Sequence, residues 1–351
     1  MKPTIINVVS GKGGTGKTLL ACVLADMLGN APDTKVIVVD LDFFVRGLTS
    51  LLYFHREEKL HLTSLHEVPV SSFFINKRTR SLENDDHLAI LKYRSFDVVP
   101  AVSRIDERLN FQDIGPDNKL EAKAVLNNLL AQIPLGYNFI ILDSRAGYDE
   151  LIAATHELSD VSVCVEEQDP ISRVTADNLV SQLDQDSKTP LFRLINKAKG
   201  VASINQLDER SRSIAELGLI PFDMDVLNNF GSADFWEQIS RSLYRWALAQ
   251  AWNRLSSKLQ LEVKLNLPRL SPIANTYVEA RIGMLSLSDR IIFSYGILLG
   301  VCGILYGLWG REFFYLFRYY PDKSISLLIG FMGFALALYS FLKKRKITRS
   351  D

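Results

Sequence analysis

The feature that most constrains the fold is a glycine-rich segment that lies between an apolar run and a helical run near the N-terminus. Residues 4–9 (TIINVV) are mostly apolar, and SGKGGTGKT and then LLACVLADML follow them. Glycines let the backbone turn sharply, and a helix that begins at such a turn directs its free N–H groups towards an anion. The order strand, glycine loop, helix, with the ending Gly16-Lys17-Thr18, therefore predicts a phosphate-binding loop.

Each residue type in this loop has a distinct chemical use. Lys17 would reach the β and γ phosphates of a nucleotide, and Thr18 would bind Mg²⁺. The remaining residues of the loop would surround the phosphates with backbone N–H groups. These residues are Gly13, Gly14, Thr15 and Gly16.

Short apolar runs alternate with longer amphipathic stretches as far as about Leu259. Most of the runs are continuous and rich in Val and Ile, which is typical of parallel strands that are buried on both faces. The pattern predicts an α/β fold with a doubly wound, mainly parallel sheet, and a last helix over 234–259. The predicted strands are 4–9, 36–40, 96–100, 139–143, 161–165, 191–195 and 219–221.

Acidic residues stand at the ends of two of these strands. Asp40 and Asp42 end the run VIVVDLD, and Asp143 ends FIILD. Carboxylates at the carboxyl edge of a parallel sheet can orient water or hold Mg²⁺ through its hydration shell. The alternative is that these acids only cap the helices or turns that follow.

Three of these motifs resemble those of the ParA/MinD family of P-loop ATPases. KGGTGKT, with its early Lys12, resembles the family's deviant Walker A motif, DLDFFVRGLTSLL its first switch, and DSRAG the DSPAG of its Walker B segment. The resemblance covers about residues 1–259 and implies an ATPase domain that takes ATP and Mg²⁺. It also implies slow, partner-stimulated hydrolysis and a homodimer in the ATP state.

The resemblance assigns roles to individual residues. Lys12 would reach the phosphates of the partner subunit, although by its chemistry alone it could be a solvated loop cation. Asp42 would position the attacking water, and Asp40 and Asp143 would form the Mg²⁺ environment. The Gly147 amide would sense the γ-phosphate. The adenine would be framed by Asn196, Pro221 and Asp223.

The chain departs from the family pattern at two places. Phe43 and Phe44 stand where smaller residues are usual in MinD, so the contacts of the first switch are expected to differ. Arg145 replaces the proline of DSPAG. Whether Arg145 puts a cation near the phosphate or forms an ion pair outside the site stays open at this point.

Two late segments, 291–309 and 325–342, contain no charged residue. Each is about long enough to cross a hydrocarbon core of roughly 30 Å as a helix, although a pair of buried helices is the alternative. The basic run Lys343–Lys346 would lie on the cytoplasmic side. The sequence therefore predicts two transmembrane helices as a hairpin over 291–342, a juxtamembrane linker over 260–290 and a basic cytoplasmic tail over 343–351. The N-terminal domain would also be cytoplasmic, in a multi-pass protein of the plasma membrane.

Composition excludes several other classes of protein. Lys and Arg total 40 and Asp and Glu total 40, and before residue 291 the acidic groups outnumber the basic ones, which makes nucleic acid an improbable ligand. The chain has 3 cysteines and 5 histidines. They are too few and too dispersed along the chain for a disulfide framework or a zinc site.

These features together predict a membrane-integrated ATPase that dimerises with ATP and recruits, positions or regulates a protein partner at the inner membrane face. Two alternatives belong to other classes. One is a membrane-linked tyrosine autokinase, although the tail KKRKITRSD has no tyrosine cluster. The other is a non-hydrolysing scaffold of a membrane complex, in which the nucleotide is only a structural ligand.

Overall fold

A computed structural model describes residues 2–55, 63–75, 85–109, 116–198, 215–232 and 234–268. All of them belong to one compact unit, Met1–Ser271, and Pro272–Asp351 forms a second unit. The predicted spans and the basic tail fall in this second unit, outside the described residues. Within the described ranges, none of the helices combines the length and the apolar character that a membrane crossing requires.

The centre of the first unit is an eight-stranded sheet with the order β10-β9-β8-β1-β7-β2-β6-β5. Neighbouring strands are parallel, except that β5 runs antiparallel to β6. A small parallel pair, β3 and β4, lies outside this sheet. The strands are β1 Thr4–Ser10, β2 Val36–Asp40, β3 Glu67–Val68, β4 His87–Leu88, β5 Leu91–Tyr93, β6 Phe96–Val99, β7 Phe139–Ala146, β8 Val161–Glu167, β9 Leu191–Ala198 and β10 Glu216–Pro221.

Helices cover both faces of the sheet, as a doubly wound fold requires. Along β2, Val36 and Val38 pack into one apolar core, and Ile37 and Val39 pack into another on the opposite face. This explains why the strand is continuously apolar, because side chains alternate between two buried faces. Within the described residues the helices are α1 Lys17–Gly29, α2 Gly47–His55, α3 Val70–Ile75, α4 Lys119–Ala131, α5 Glu150–Leu158, α6 Pro170–Asp186, α7 Met224–Asn229, α8 Phe235–Ser240 and α9 Leu243–Leu259.

The prediction of a doubly wound α/β sheet is confirmed, and one of its helices is corrected. The segment 234–259 forms two helices, α8 and α9, rather than one. The break has a local cause, because Ser242 adopts an extended conformation and its hydroxyl accepts a hydrogen bond from the N–H of Arg245, which caps α9.

The compact unit also continues past its predicted end at Leu259. Residues 261–265 fold back along α9, where the Trp252 indole donates to the Val263 carbonyl at 3.0 Å. The Asn253 side chain both donates to the carbonyl and accepts from the N–H of Leu265, at 2.9 and 2.8 Å. The first residues of the predicted linker therefore pack against α9.

Candidate functional site

The glycine loop has the backbone geometry that its sequence predicts. Gly14 and Gly16 have positive φ angles of 80° and 91°, and Gly16 immediately precedes α1. The Asn196 amide donates to the carbonyl of Thr15 at 2.8 Å, and a Cβ added to Gly16 would lie only 2.4 Å from that amide nitrogen. Glycine at position 16 therefore allows both the left-handed turn and the close approach of β9.

Lys17 begins α1, and its side chain is buried among acidic groups. The residue is only 8% exposed. Burial lowers the pKa of Lys17, and the charges of Asp143 and Asp42 oppose that shift. A desolvated cation with two nearby carboxylates is arranged to receive the negative charge of a phosphate.

Asp143 is the group that points most clearly to a metal ion. It is 1% exposed, and neither carboxylate oxygen has a hydrogen bond of good geometry to any residue that the structure describes. Burial raises its pKa, while the nearby Thr18 hydroxyl and Lys17 lower it. Because a buried carboxylate that lacks well-formed hydrogen bonds is costly, the combination of Asp143 and Thr18 fits a hydrated Mg²⁺ ion.

Asp40 lies beside Asp143 in the sheet, but its carboxylate is already used. The two residues pair in register between β2 and β7. Asp40 accepts hydrogen bonds from the N–H and hydroxyl of Thr49 at 2.9 and 2.6 Å, and from the N–H of Asp42 at 3.1 Å. Burial and the charge of Asp143 raise its pKa. Asp40 thus holds the first switch segment, and any contribution to a metal site would be indirect.

In the segment that resembles the first switch, Asp42 lines the cavity, whereas Arg46 bonds to backbone carbonyls. The Asp42 carboxylate accepts the N–H of Val45 at 3.1 Å and lines the cavity. Arg46 donates to the carbonyls of Phe43 and Ile105 at 2.7 and 3.1 Å. Phe43 is buried in the core whereas Phe44 is exposed, so the two aromatic residues that depart from the family pattern have different surroundings.

Lys12 is not directed into its own cavity. Its ammonium group forms ion pairs with Asp169 at 2.9 Å and Glu167 at 3.0 Å, and these hydrogen bonds raise its pKa. Glu167 also pairs with Lys197 at 2.7 Å, and Lys197 donates to the carbonyl of Gly14. Both lysines therefore join the loop to the end of β8.

Gly147 follows β7 with a positive φ angle of 91°. Its N–H donates to the Ser10 carbonyl at 2.9 Å. In this conformation the amide that the resemblance assigns to the γ-phosphate is bonded to β1. Contact with a phosphate would require the segment after Asp143 to shift.

These elements surround one cavity of about 510 Å³. Its phosphate end includes predicted residues from the loop and from the first switch: Gly13, Gly14, Gly16, Lys17, Thr18 and Asp42. The lining also includes predicted residues and apolar side chains suited to a base: Asn196, Pro221, Asp223, Val226, Phe230 and Tyr244. The volume and this mixed lining suit a nucleotide.

Several site residues escaped prediction because their partners are distant in sequence. They are Glu167, Asp169 and Lys197. Thr49 was also missed, although it lies only nine residues from its partner Asp40. A partial signal existed for Asp169, since an acid before Pro170 is a common start of a helix. Its side chain indeed accepts the N–H of Ser172 at 2.9 Å. Nothing in the spacing indicated that it also binds Lys12.

Comparison with known proteins agrees with this geometry. The profile of the family described as AAA domain matches residues 3–189, which is more than half of the chain. The chain belongs to the AAA domain family. A ParA family protein of Mycoplasma pneumoniae is 29% identical over 181 residues, which is 51% of this chain and 64% of the relative.

One more distant relative and two solved structures are also similar to this chain. A putative septum site-determining protein MinD of Emiliania huxleyi is 23% identical over 64% of this chain and 76% of its own length. MinD of Pyrococcus horikoshii with Mg-ADP is 17% identical with a TM-score of 0.54, covering 75% of this chain and 100% of that one. A putative plasmid partition protein of Borrelia burgdorferi bound to AMPPNP is 18% identical with a TM-score of 0.53, covering 73% and 100%.

The comparisons cover only part of each Mycoplasma relative, so the properties of these proteins cannot be assigned directly to this chain. The chain spans 64% of the length of the Mycoplasma pneumoniae relative and also 64% of a ParA family protein of Mycoplasma genitalium, to which it is 28% identical over 51% of its own length. The solved structures, at 17% and 18% identity, establish a shared P-loop ATPase fold. Activity, partners and cellular role of this chain are therefore matters for proposal.

Proposed function

We propose that this protein is an ATPase that acts as an ATP-dependent dimerisation switch, and that it recruits, positions or regulates a partner protein at the inner face of the membrane. The observation that carries the proposal is the buried Asp143 carboxylate, which has no hydrogen bond of good geometry within the described residues and lies beside Lys17 and Thr18, two residues that line a nucleotide-sized cavity. This arrangement can hold the phosphates of ATP together with Mg²⁺.

The chemistry of hydrolysis is divided among residues at the phosphate end. Lys17 would bind the β and γ phosphates, and the loop amides would orient them. Thr18 and Asp143 would hold Mg²⁺, which when bound supplies charge neutralisation between the β and γ phosphates. Asp42, which lines the cavity, would orient the attacking water, and Asp40 would keep that switch in place through Thr49.

The proposal of an ATP-dependent dimer rests on the position of Lys12. Its side chain is 29% exposed and is paired on the surface of its own chain. If Lys12 binds the phosphates of a second subunit, it must first leave Glu167 and Asp169. The γ-phosphate would thus compete with two carboxylates for one ammonium group, which makes self-association sensitive to the nucleotide state.

Membrane integration is part of the proposal and is supported by the sequence of the second unit. The charge-free segments 291–309 and 325–342 and the basic residues after them favour a hairpin with both ends in the cytoplasm. A permanent hairpin would keep the ATPase at the membrane in every nucleotide state. Carbonate extraction of membranes tests this directly, because release of the chain into the soluble fraction would contradict it.

Nucleotide binding and self-association test the switch. We expect the detergent-purified full chain to bind Mg·ATP, to associate into dimers with AMPPNP and to release phosphate slowly. Lys17→Ala should lose nucleotide binding, whereas Lys12→Ala should keep binding and lose dimerisation. ATP-dependent dimers that persist in Lys12→Ala would contradict the proposed switch. Binding without measurable turnover in wild type and Asp42→Asn alike would support the scaffold alternative, and autophosphorylated tyrosine would support the kinase.

A further inference from the structure

Arg145 is a cation in the nucleotide site that the resemblance does not account for. It lies near the end of β7, two residues after Asp143, and lines the cavity together with Lys17 and Asp42. The side chain is only 20% exposed. Burial lowers the pKa of Arg145, and the negative charge of Asp42 partly offsets that effect.

The guanidinium group has a fixed position because Asp149 holds it. Arg145 Nη2 forms an ion pair with one carboxylate oxygen of Asp149, and the other oxygen accepts the N–H of Ile152 at 2.8 Å. Asp149 therefore caps α5 and holds Arg145 at the same time. A guanidinium has five N–H donors in one plane, so the pair with Asp149 is compatible with a second contact to a phosphate oxygen.

We propose that Arg145 donates hydrogen bonds to the γ-phosphate of ATP bound in its own chain and stabilises the charge that develops during hydrolysis, with Asp149 as its positioning residue. This inference rests on the proposed ATPase function and adds a catalytic residue to it. Arg145 would be a cation supplied in cis, whereas the resemblance expects the additional cation, Lys12, to come from the partner subunit.

The reaction itself is the transfer of the γ-phosphoryl group to water. The water oxygen forms a bond to the γ-phosphorus while the bond from that phosphorus to the β,γ-bridging oxygen breaks. The electron pair of that bond leaves with ADP, and a proton from water is released with the products, ADP and inorganic phosphate. Negative charge shifts among the γ-phosphate oxygens and the bridging oxygen during this exchange, and a preorganised guanidinium stabilises it.

Four variants of the full chain in detergent test the proposal. Arg145→Gln removes the charge, and Arg145→Lys keeps the charge but removes the planar fork. Asp149→Asn keeps a residue that caps helices well and removes the ion pair. Arg104→Gln is the matched control, because Arg104 also pairs with a nearby aspartate, Asp106, at 2.9 Å but does not line the cavity.

We expect Arg145→Gln to lower kcat by about 100-fold or more, since loss of one preorganised donor costs on this order. Its affinity for ADP should stay within about twofold of wild type, while the preference for AMPPNP over ADP falls by about tenfold, as for the loss of one charge-assisted hydrogen bond. Arg145→Lys should behave similarly to Arg145→Gln, and Asp149→Asn should give a smaller loss of kcat. Arg104→Gln should match wild type.

Each remaining outcome has a clear meaning. A wild-type kcat and AMPPNP preference in Arg145→Gln would overturn the proposal, and so would equal losses of ADP and AMPPNP affinity, which indicate a structural role. If wild type binds both nucleotides but does not hydrolyse ATP, the proposed ATPase function fails while the AMPPNP preference still tests the contact. If wild type binds neither nucleotide, both proposals fail.

Discussion

The ammonium group of Lys12 lies 2.9 Å from the carboxylate of Asp169, the residue that caps α6. The glycine loop is thereby tied to the start of α6 by a side chain that the proposed dimer needs elsewhere. Gly11 brings the same two elements together, because a Cβ there would come within 2.3 Å of the Thr175 backbone. Nucleotide-dependent release of Lys12 would therefore act on a loop and a helix that already touch.

The first prediction concerns this pair. We expect the double variant Glu167→Gln, Asp169→Asn to dimerise at a lower AMPPNP concentration, because Lys12 no longer has to leave two carboxylates. Partly exposed ion pairs contribute little, so the midpoint should fall only about threefold, and less in high salt. Sedimentation velocity across an AMPPNP titration measures it. Glu157→Gln, whose partners Lys119 and Lys123 lie elsewhere, is the control; an unchanged or higher midpoint in the double variant would count against competition for Lys12.

The second prediction concerns Thr49, which fixes the first switch to the sheet. Its buried hydroxyl donates to Asp40 at 2.6 Å and accepts the N–H of Ala101 at 2.9 Å. Valine has a similar volume to threonine, but in Thr49→Val the Asp40 carboxylate and the Ala101 N–H both lose their hydrogen bond to the hydroxyl. The free energy of unfolding should therefore fall by about 3 kcal/mol. Thr49→Ser keeps the hydroxyl and should lose only about 1 kcal/mol with the methyl group. Urea unfolding compares them, and similar losses for both would mean that packing, not hydrogen bonding, is what matters.

Much of the fold could be predicted because its strands are apolar over their whole length. Seven predicted strands correspond to β1, β2 and β6 to β10. The strands that were missed, β3, β4 and β5, have two or three residues each, too few for any periodic signal. The break between α8 and α9 depends on one serine cap within an otherwise continuous helical pattern.

The candidate site likewise contains residues that could be predicted from local sequence and contacts that could not. Residues within one contiguous motif, such as Lys17 and Thr18, were assigned from spacing and line the cavity. The ion pairs of Lys12, by contrast, join residues more than 150 positions apart, as does the hydrogen bond from Asn196 to Thr15. Contacts of this kind follow from strand order in the sheet, which the spacing of residues along the chain does not contain.

A third prediction separates two glycines of the loop. Gly11→Ala should destabilise the protein by about 2 kcal/mol or more, because its Cβ would collide with backbone atoms of α6, which cannot rotate away. Gly13→Ala has open space around the added Cβ, so its melting temperature without nucleotide should match wild type. Its nucleotide affinity should nevertheless fall, because the methyl group would stand where the backbone approaches the phosphates. Thermal unfolding and a fluorescent ADP titration measure both effects, and an equal loss of stability would contradict the assigned contacts.

A fourth prediction separates the two acidic roles. Asp143→Asn should bind ATP no more tightly with Mg²⁺ than with EDTA, because it removes the buried carboxylate that is proposed to hold the ion. Asp42→Asn should keep the effect of Mg²⁺ on binding while lowering kcat by about 100-fold, since the proposed role of Asp42 is to position the water and not to hold the ion. Isothermal titration with and without Mg²⁺, followed by phosphate release, measures both. A normal Mg²⁺ effect in Asp143→Asn would remove it from the metal site.

The last prediction concerns Glu166, which is buried beside Arg193 and does not line the cavity. Arg193 Nη1 lies 3.4 Å from the Glu166 carboxylate, and Arg193 Nη2 pairs with Asp177. The charges of Asp177, Arg173 and Glu216 also affect the pKa of Glu166. Burial raises the pKa of Glu166 from 4.5 to about 7. The folded protein therefore binds a proton that the unfolded chain has released between these pH values, and stability falls as pH rises through that window.

Glu166→Gln isolates this contribution, because glutamine stays neutral and keeps a carbonyl for Arg193. Other buried acids titrate in wild type and variant alike, so the difference between the two unfolding free energies reports Glu166. We subtract the unfolding free energy of wild type from that of Glu166→Gln at each pH. This difference should increase by about 3 kcal/mol at most between pH 4.5 and pH 7, and should then level off. Urea unfolding at several pH values measures the difference. A constant difference across this range would show that the Glu166 pKa is not raised, and a difference that decreases would mean that Arg193 stabilises the ionised carboxylate more than burial opposes it.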